Sequence, residues 1–95
     1  MFKVIISPRA RHDLLEIIDY IREDNPNAAE RFGNDLLNHT ELLAEFPHIG
    51  APVNERSRVR KLLHTPVRIY YRVDEPRNVV EILHFWHAAR RQPDL

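Results

Sequence analysis

The chain has 95 residues, 43% hydrophobic and 29% charged, which suits one small globular domain over residues 1–95 with a modest core. It contains no cysteine, so disulfides and thiolate metal sites are excluded. No apolar run approaches the roughly 20 residues that span a bilayer, and the opening MFKVIISPRA holds too short an apolar stretch for a secretory signal. We therefore expect a cytoplasmic protein.

The zero formal net charge is an average over two halves of opposite sign. Residues 1–47 carry five Lys or Arg and nine Asp or Glu, whereas residues 48–95 carry nine Lys or Arg and five Asp or Glu. A basic second half indicates an anionic partner. Attraction between the two halves within the fold explains the same pattern equally well.

The first predicted elements are a strand and a helix. Residues Phe2 to Ile6 include several β-branched side chains, which favours a short strand. Ser7 followed by Pro8 predicts a helix start, with a hydroxyl at the N-cap and a proline in the first turn. Apolar side chains then recur at helical spacing on one face, with charged side chains on the other. The core-facing set is Ala10, Leu14, Ile17, Ile18 and Ile21, and the solvent-facing set is Arg11, Asp13, Glu16, Asp19 and Glu23.

A second helix is predicted directly after the first. Asn25 and Pro26 repeat the cap-and-proline signal, and Pro47 disfavours helix at Phe46, so the helix runs to about there. Gly33 within it costs roughly 1 kcal/mol relative to alanine, which indicates either close approach of another backbone or simple tolerance. Two helices with almost no linker predict an antiparallel hairpin. The core-facing residues of the second helix are Ala29, Phe32, Leu36, Thr40, Leu43 and Phe46.

Three strands are predicted in the second half, after a loop from His48 to Ser57 that contains a glycine and a proline. The connectors HTP and DEPRN are short and turn-like, so they favour antiparallel neighbours. The order β-α-α-β-β-β predicts an α+β fold, with the helical hairpin packed on one face of a small, mainly antiparallel sheet. The strands run from Val59 to Leu63, from Val67 to Val73 and from Val79 to Phe85.

Basic and aromatic side chains mark the candidate binding surface. Alternation along a strand directs Arg68, Tyr70 and Arg72 away from the core, to the face that the helices leave open. Guanidinium groups bind phosphate or carboxylate through paired hydrogen bonds, and aromatic rings stack on unpaired bases. The alternative interpretation is that these side chains have no binding role and simply form the solvent-exposed face of the sheet. The candidate recognition residues are Arg60, Lys61, Arg68, Tyr70, Arg72, Trp86, His87, Arg90 and Arg91.

The sequence lacks the common motifs for cofactors, metals and serine hydrolysis. Gly33 and Gly50 are too few for a P-loop or a dinucleotide-binding loop. No two of the six histidines form an HExxH pair, and no nucleophile elbow is present. Spacing of three along a strand directs His84 and His87 to opposite faces. We therefore predict neither a metal nor a cofactor.

Four stretches of the chain carry a family resemblance. They are SPRARHDLLEIIDYIREDNPNAAERF, LLAEFPHIGAPV, VRKLLHTPVRIYYRV and VVEILHFWHAARRQP. In this order and spacing the chain resembles, from about Phe2 to Pro93, the ParE/RelE superfamily of type II toxins, and the hairpin with the FPHIG turn resembles its ParE branch. The resemblance implies a toxin encoded beside a ParD-like or similar antitoxin. The antitoxin's tail would bind the toxin, and the complex would reach operator DNA only through the antitoxin.

The resemblance to the ParE branch also implies a target. ParE-like members inhibit DNA gyrase with no chemistry of their own, and the HAAR ending, here His87 and Arg90, recurs in that branch. We therefore expect a gyrase inhibitor that its cognate antitoxin neutralises within a hetero-oligomer of the two proteins.

Two alternatives accompany that expectation. RelE-like members cleave ribosome-bound messenger RNA without a metal, and Arg68 matches their phosphate-stabilising arginine, with His87 and Glu55 as the implied proton-transfer residues. The chain departs from the RelE pattern because its only lysines are Lys3 and Lys61 and no tyrosine follows His87. The other alternative is a non-toxic module that only binds an antitoxin.

Overall fold

The computed structural model describes residues 1–87, which form two helices and a five-stranded sheet. In chain order the elements are β1 (Lys3–Ile6), α1 (Pro8–Asp24), α2 (Pro26–Glu41), a 3-10 turn (Leu42–Ala44), β2 (Ala51–Pro52), β3 (Val59–His64), β4 (Val67–Asp74) and β5 (Val79–His87). The sheet order is β1-β5-β4-β3-β2, in which β1 runs parallel to β5 and the other pairs are antiparallel. The predicted β-α-α-β-β-β order and mainly antiparallel sheet are confirmed. The short strand β2 lies inside the segment that was predicted as a loop.

Both predicted helix starts are confirmed by their caps. The Ser7 hydroxyl accepts a hydrogen bond from the Ala10 amide at 3.1 Å, and the Asn25 side chain accepts one from the Ala28 amide at 3.0 Å. Each bond satisfies a backbone donor that the first helical turn leaves without a partner. Neither helix within residues 1–87 is long and apolar enough to cross a membrane.

The core lies between the helices and the sheet, and one of its predicted members is not there. Phe46 is 52% exposed, so its predicted core position is wrong. The reason is that α2 ends at Glu41 and the 3-10 turn that follows changes the helical phase. The core cluster consists of Ala10, Leu14, Ile17, Leu36, Leu43, Val67, Ile69, Tyr71, Val80, Ile82 and Phe85.

Gly33 lies where α1 packs closely on α2. A Cβ atom at this position would come within 2.9 Å of the Ile18 Cδ1 atom. The neighbour is the far end of a flexible side chain and not another backbone, so the predicted close backbone approach is not found. The glycine is tolerated here at a modest cost in helix propensity.

Asp13 was predicted to face solvent, but it is only 6% exposed. Its Oδ2 atom accepts a hydrogen bond from the Phe85 amide at 3.3 Å and lies 3.3 Å from His84 Nδ1. β1 pairs with β5 only as far as Ile82, so the Phe85 amide has no strand partner on that edge. The carboxylate supplies the missing acceptor, which explains why a charged residue of α1 is buried.

The loop before β3 is held by hydrogen bonds to the sheet. The Gly50 amide donates to the Tyr71 hydroxyl at 2.9 Å, and Arg60 Nη1 donates to the carbonyls of Gly50 (2.7 Å) and His48 (3.2 Å). Burial raises the pKa of the Tyr71 hydroxyl, against smaller lowering effects of the Gly50 hydrogen bond and the Arg60 charge. A Cβ atom at Gly50 would lie 2.7 Å from both the Lys61 carbonyl oxygen and the Tyr71 hydroxyl. The loop therefore packs so closely on Lys61 and Tyr71 that residue 50 has no room for a side chain.

Candidate recognition surfaces

The pairing of β4 with β5 decides which face each candidate side chain takes. Val67 lies opposite His87, and Arg68 lies opposite Trp86. Val67 is buried in the core on the helix side, so alternation directs Arg68 and Trp86 to the other face. His87 lines a pocket together with helix residues. Arg68 and His87 therefore lie on opposite faces of the sheet.

Lys61, Arg68 and Trp86 form what we name the basic face, on the side of the sheet away from the helices. Lys61 shares this side because it pairs with Tyr70, two residues along β4 from Arg68. Within residues 1–87 neither cation has an acidic partner, and both are half-buried. Two unpaired cations beside an aromatic ring suit an anionic or planar partner.

Tyr70 does not contribute an exposed phenol to this face. It is completely buried, and its hydroxyl has no hydrogen-bond partner among the described residues. The prediction of a solvent-facing Tyr70 is wrong. Alternation along β4 gives the direction of the side chain, but the burial of that part of the sheet face depends on tertiary packing.

Arg60 and Arg72 line a groove of about 740 Å³ at the end of the sheet that carries the β4–β5 turn. Arg72 is paired with Glu81, and Arg60 holds the preceding loop through the two carbonyls described above. The groove is lined by four arginines and three acidic residues, so its net positive charge is smaller than the sequence suggested. The arginines are Arg58, Arg60, Arg72 and Arg77, and the acidic residues are Asp74, Glu75 and Glu81. Two of these arginines, Arg58 and Arg77, were missed because their loop positions carry no strand periodicity.

His87 belongs to an apolar pocket of about 340 Å³ that we name the helix-side pocket. Its rim includes Tyr20, which is 69% exposed although large and aromatic. An exposed aromatic side chain beside an apolar depression is typical of a surface that binds another chain. The lining residues are Glu16, Ile17, Tyr20, Ile21, Phe32, Pro66 and His87.

The residues proposed for RNA cleavage are not brought together. Arg68 and His87 are on opposite faces, and Glu55 lies on an exposed turn before β3. β3 begins opposite Arg72, whereas His87 pairs with Val67, about 16 Å away along β4. Arg90 and Arg91, the other predicted recognition residues, lie outside the described part of the chain.

A histidine pair links α2 to β3 beside the helix-side pocket. The Nδ1 atoms of His39 and His64 are 2.8 Å apart, and Phe32 packs edge-on against His64 with ring centroids 5.6 Å apart. Burial lowers the pKa of His64, the charge of His39 lowers it further, and Asp35 acts in the opposite direction. No sequence motif pointed to this pair, because its members are 25 residues apart on different elements.

Comparison with known proteins places this architecture in a family. The model of the ParE toxin of type II toxin-antitoxin systems, parDE, matches residues 4–92. The chain belongs to the ParE toxin family. The resemblance inferred from the sequence is therefore confirmed, and the chain is a type II toxin of the ParE/RelE superfamily.

Relatives of this ParE-family toxin carry both branch names. The toxin RelE2 of Caulobacter vibrioides is 35% identical over 92 residues, covering 95% of this chain and 99% of the relative. The structure described as the chromosomal ParDE system from P. aeruginosa has a TM-score of 0.78 at 24% identity, covering 92% of this chain and 96% of that one. The toxin-antitoxin complex RelBE2 from Mycobacterium tuberculosis has a TM-score of 0.68 at 21% identity, covering 90% and 96%. The two structural likenesses show the shared fold.

Proposed function

We propose that this toxin inhibits DNA gyrase by binding it, and that a cognate antitoxin neutralises the toxin. The observation that carries the proposal is the separation of Arg68 from His87 on opposite faces of the sheet. A nuclease needs its phosphate-binding and proton-transferring groups within hydrogen-bond reach of one phosphodiester. Within residues 1–87 the basic face instead offers two cations and an indole, and its histidine, His84, is held by the Asp13 carboxylate. This arrangement supports recognition of a partner rather than catalysis.

The antitoxin binds the helix-side pocket in this proposal. Ile17, Ile21 and Phe32 supply apolar lining, and the exposed ring of Tyr20 supplies a rim. An amphipathic helix places its apolar side chains into such a depression. Two of the similar structures are described as toxin-antitoxin systems, which supports a ParD-like or similar antitoxin as the partner. Operator DNA is then contacted through the antitoxin.

Two assays on the same freshly released toxin test the target. We expect loss of gyrase supercoiling activity and no cleavage of ribosome-bound messenger RNA. Arg68→Ala should weaken gyrase inhibition, whereas Arg11→Ala, which removes an exposed cation of α1, should leave it unchanged. Full supercoiling in the presence of folded toxin contradicts the proposed target.

A RelE-type endoribonuclease is the second candidate. The relative named RelE2 favours it, as do Lys61 and Arg68, which have no acidic partner within residues 1–87 and are suited to holding a phosphate. Messenger cleavage that Arg68→Ala abolishes would replace the gyrase proposal with this one. Harmless expression with intact antitoxin binding would instead identify a module that has lost its toxicity.

A further inference from the structure

An exposed apolar surface with an acidic border follows directly from the end of α2. Phe46 is 52% exposed and Ile49 is 53% exposed, although both side chains are large and apolar. The neighbouring Leu43 packs into the core between the helices and the sheet, so this surface is on the helix side. Clustered exposed apolar side chains are typical of a surface that binds another protein. We name the surface the acidic patch, and its members, all exposed, are Glu41, Leu42, Glu45, Phe46 and Ile49.

Backbone hydrogen bonds hold the acidic patch in one conformation. The Phe46 amide donates to the Leu42 carbonyl at 3.0 Å, and the Ile49 amide donates to the Phe46 carbonyl at 3.2 Å. Arg60 fixes the loop that follows through the two carbonyls described above. A partner that covers these side chains therefore has little backbone entropy to overcome, which favours binding.

The two carboxylates of the acidic patch are placed against local stability. Glu41 and Glu45 are four residues apart at the C-terminal end of α2, a spacing at which side chains are neighbours and like charges repel. The helix dipole also disfavours negative charge at this end of a helix. Neither carboxylate has a basic partner within residues 1–87. The pair therefore indicates a partner that supplies positive charge.

The basic face of the same chain carries the complementary groups. Its cations, Lys61 and Arg68, have no acidic partner within residues 1–87. Leu63 and Trp86 lie on either side of Arg68, on β3 and β5, and Leu63 is 60% exposed. Two cations thus accompany apolar side chains on this face, as two carboxylates accompany them on the acidic patch.

From this complementarity we propose that the chain self-associates head to tail, with the acidic patch of one copy on the basic face of the next. The two surfaces of one chain lie on opposite sides of its sheet, so each contact joins two copies. A contact between different surfaces repeats from copy to copy and gives a ring or an open chain of molecules. Self-association covers the basic face and so competes with the target binding proposed above, a consequence that rests on the proposed function.

Sedimentation velocity of the purified full chain tests the contact. We expect the wild-type chain to form species larger than a monomer as its concentration rises, and fewer of them at high NaCl concentration, because salt screens exposed charge pairs. Phe46→Lys disrupts the acidic patch, and Lys61→Ser combined with Arg68→Ser disrupts the basic face. Each change should weaken self-association at least about tenfold. Leu15→Lys is the matched control, because Leu15 is 53% exposed on α1, outside both surfaces.

A mixture of the two disrupted variants gives the sharpest result. The Phe46→Lys chain keeps its basic face, and the chain with Lys61→Ser and Arg68→Ser keeps its acidic patch. An equimolar mixture should therefore form a 1:1 dimer and nothing larger. The proposal is overturned by a wild-type chain that stays monomeric at every concentration, by an equal effect of Leu15→Lys, or by a mixture that forms no dimer.

If a variant does not fold, single cysteines decide, because the chain has no cysteine of its own. Ile49→Cys places a thiol on the acidic patch, and Leu63→Cys places one beside the basic face. With oxidised glutathione as the oxidant, a mixture of these two chains should form a disulfide-linked heterodimer faster than a mixture of Leu15→Cys with Leu63→Cys, because a disulfide needs its two Cα atoms within about 7 Å. Equal rates in the two mixtures overturn the proposal.

Discussion

Arg68 and His87 occupy neighbouring strands, β4 and β5, yet their side chains lie on opposite faces of the sheet. This separation predicts that target binding and antitoxin binding can be altered independently. Arg68→Ala should weaken gyrase inhibition while leaving the antitoxin dissociation constant within about twofold of wild type. His87→Ala should raise that constant about fivefold, since truncating a contact residue in an interface costs roughly 1 kcal/mol. Titration with purified antitoxin and a supercoiling assay measure the two effects, and equal losses of both activities in either variant would contradict the separation.

The two glycines should respond differently to substitution by alanine. Gly50→Ala places a methyl group 2.7 Å from the Lys61 carbonyl and the Tyr71 hydroxyl, so it should destabilise the fold by about 2–3 kcal/mol or more. Gly33→Ala meets only the end of the flexible Ile18 side chain and gains helix propensity, so it should change stability by less than about 1 kcal/mol. Urea unfolding of both variants checks the contrast. A similar decrease in the free energy of unfolding of the two variants would show that the loop around Gly50 can move to accommodate the methyl group.

Removing the buried carboxylate of Asp13 should destabilise the protein. Asp13→Ala leaves the Phe85 amide without an acceptor, which costs about 1–3 kcal/mol. Asp19→Ala is the control: Asp19 forms an exposed ion pair with Arg22 on the same helix, and its loss should change the free energy of unfolding by less than about 0.5 kcal/mol. Chemical denaturation gives both values, and an unchanged stability of Asp13→Ala would argue against a structural role for this carboxylate.

The histidine pair should make stability depend on pH in the acidic range. The folded-state pKa of His64 lies below its unfolded value of 6.5, mainly because of burial, so the unfolded chain binds more protons. The contribution of His64 to the free energy of unfolding is therefore fully present above pH 6.5. It is lost as the pH falls through the folded-state pKa of His64. A protonated His64 also can no longer accept a hydrogen bond from His39 across the 2.8 Å contact.

Thermal unfolding between pH 8 and pH 5, with EDTA present, measures this dependence. His64→Gln should remove part of the decrease, whereas His12→Gln, at an exposed position of α1, should keep it. A wild-type unfolding temperature that decreases no more steeply than that of His64→Gln would exclude His64 as a cause.

Local signals in the sequence determined the helix starts, the strands and their order. Ser7 and Asn25 cap helices because their side chains bond to amides three residues ahead, an interaction that needs no other part of the chain. Alternation along β4 likewise predicted the direction of Arg68. Four stretches of sequence, in their order and spacing, suggested the family, which the family match confirms.

The tertiary structure alone decided which polar groups are buried and which residues meet. The end of β1 pairing at Ile82 leaves an amide that Asp13 satisfies, and Tyr70 is completely buried although alternation directs it away from the core. Strand register places His87 beside the helices rather than beside Arg68. These outcomes depend on contacts between residues far apart in the chain, and neither side-chain periodicity nor local propensity carries information about such contacts.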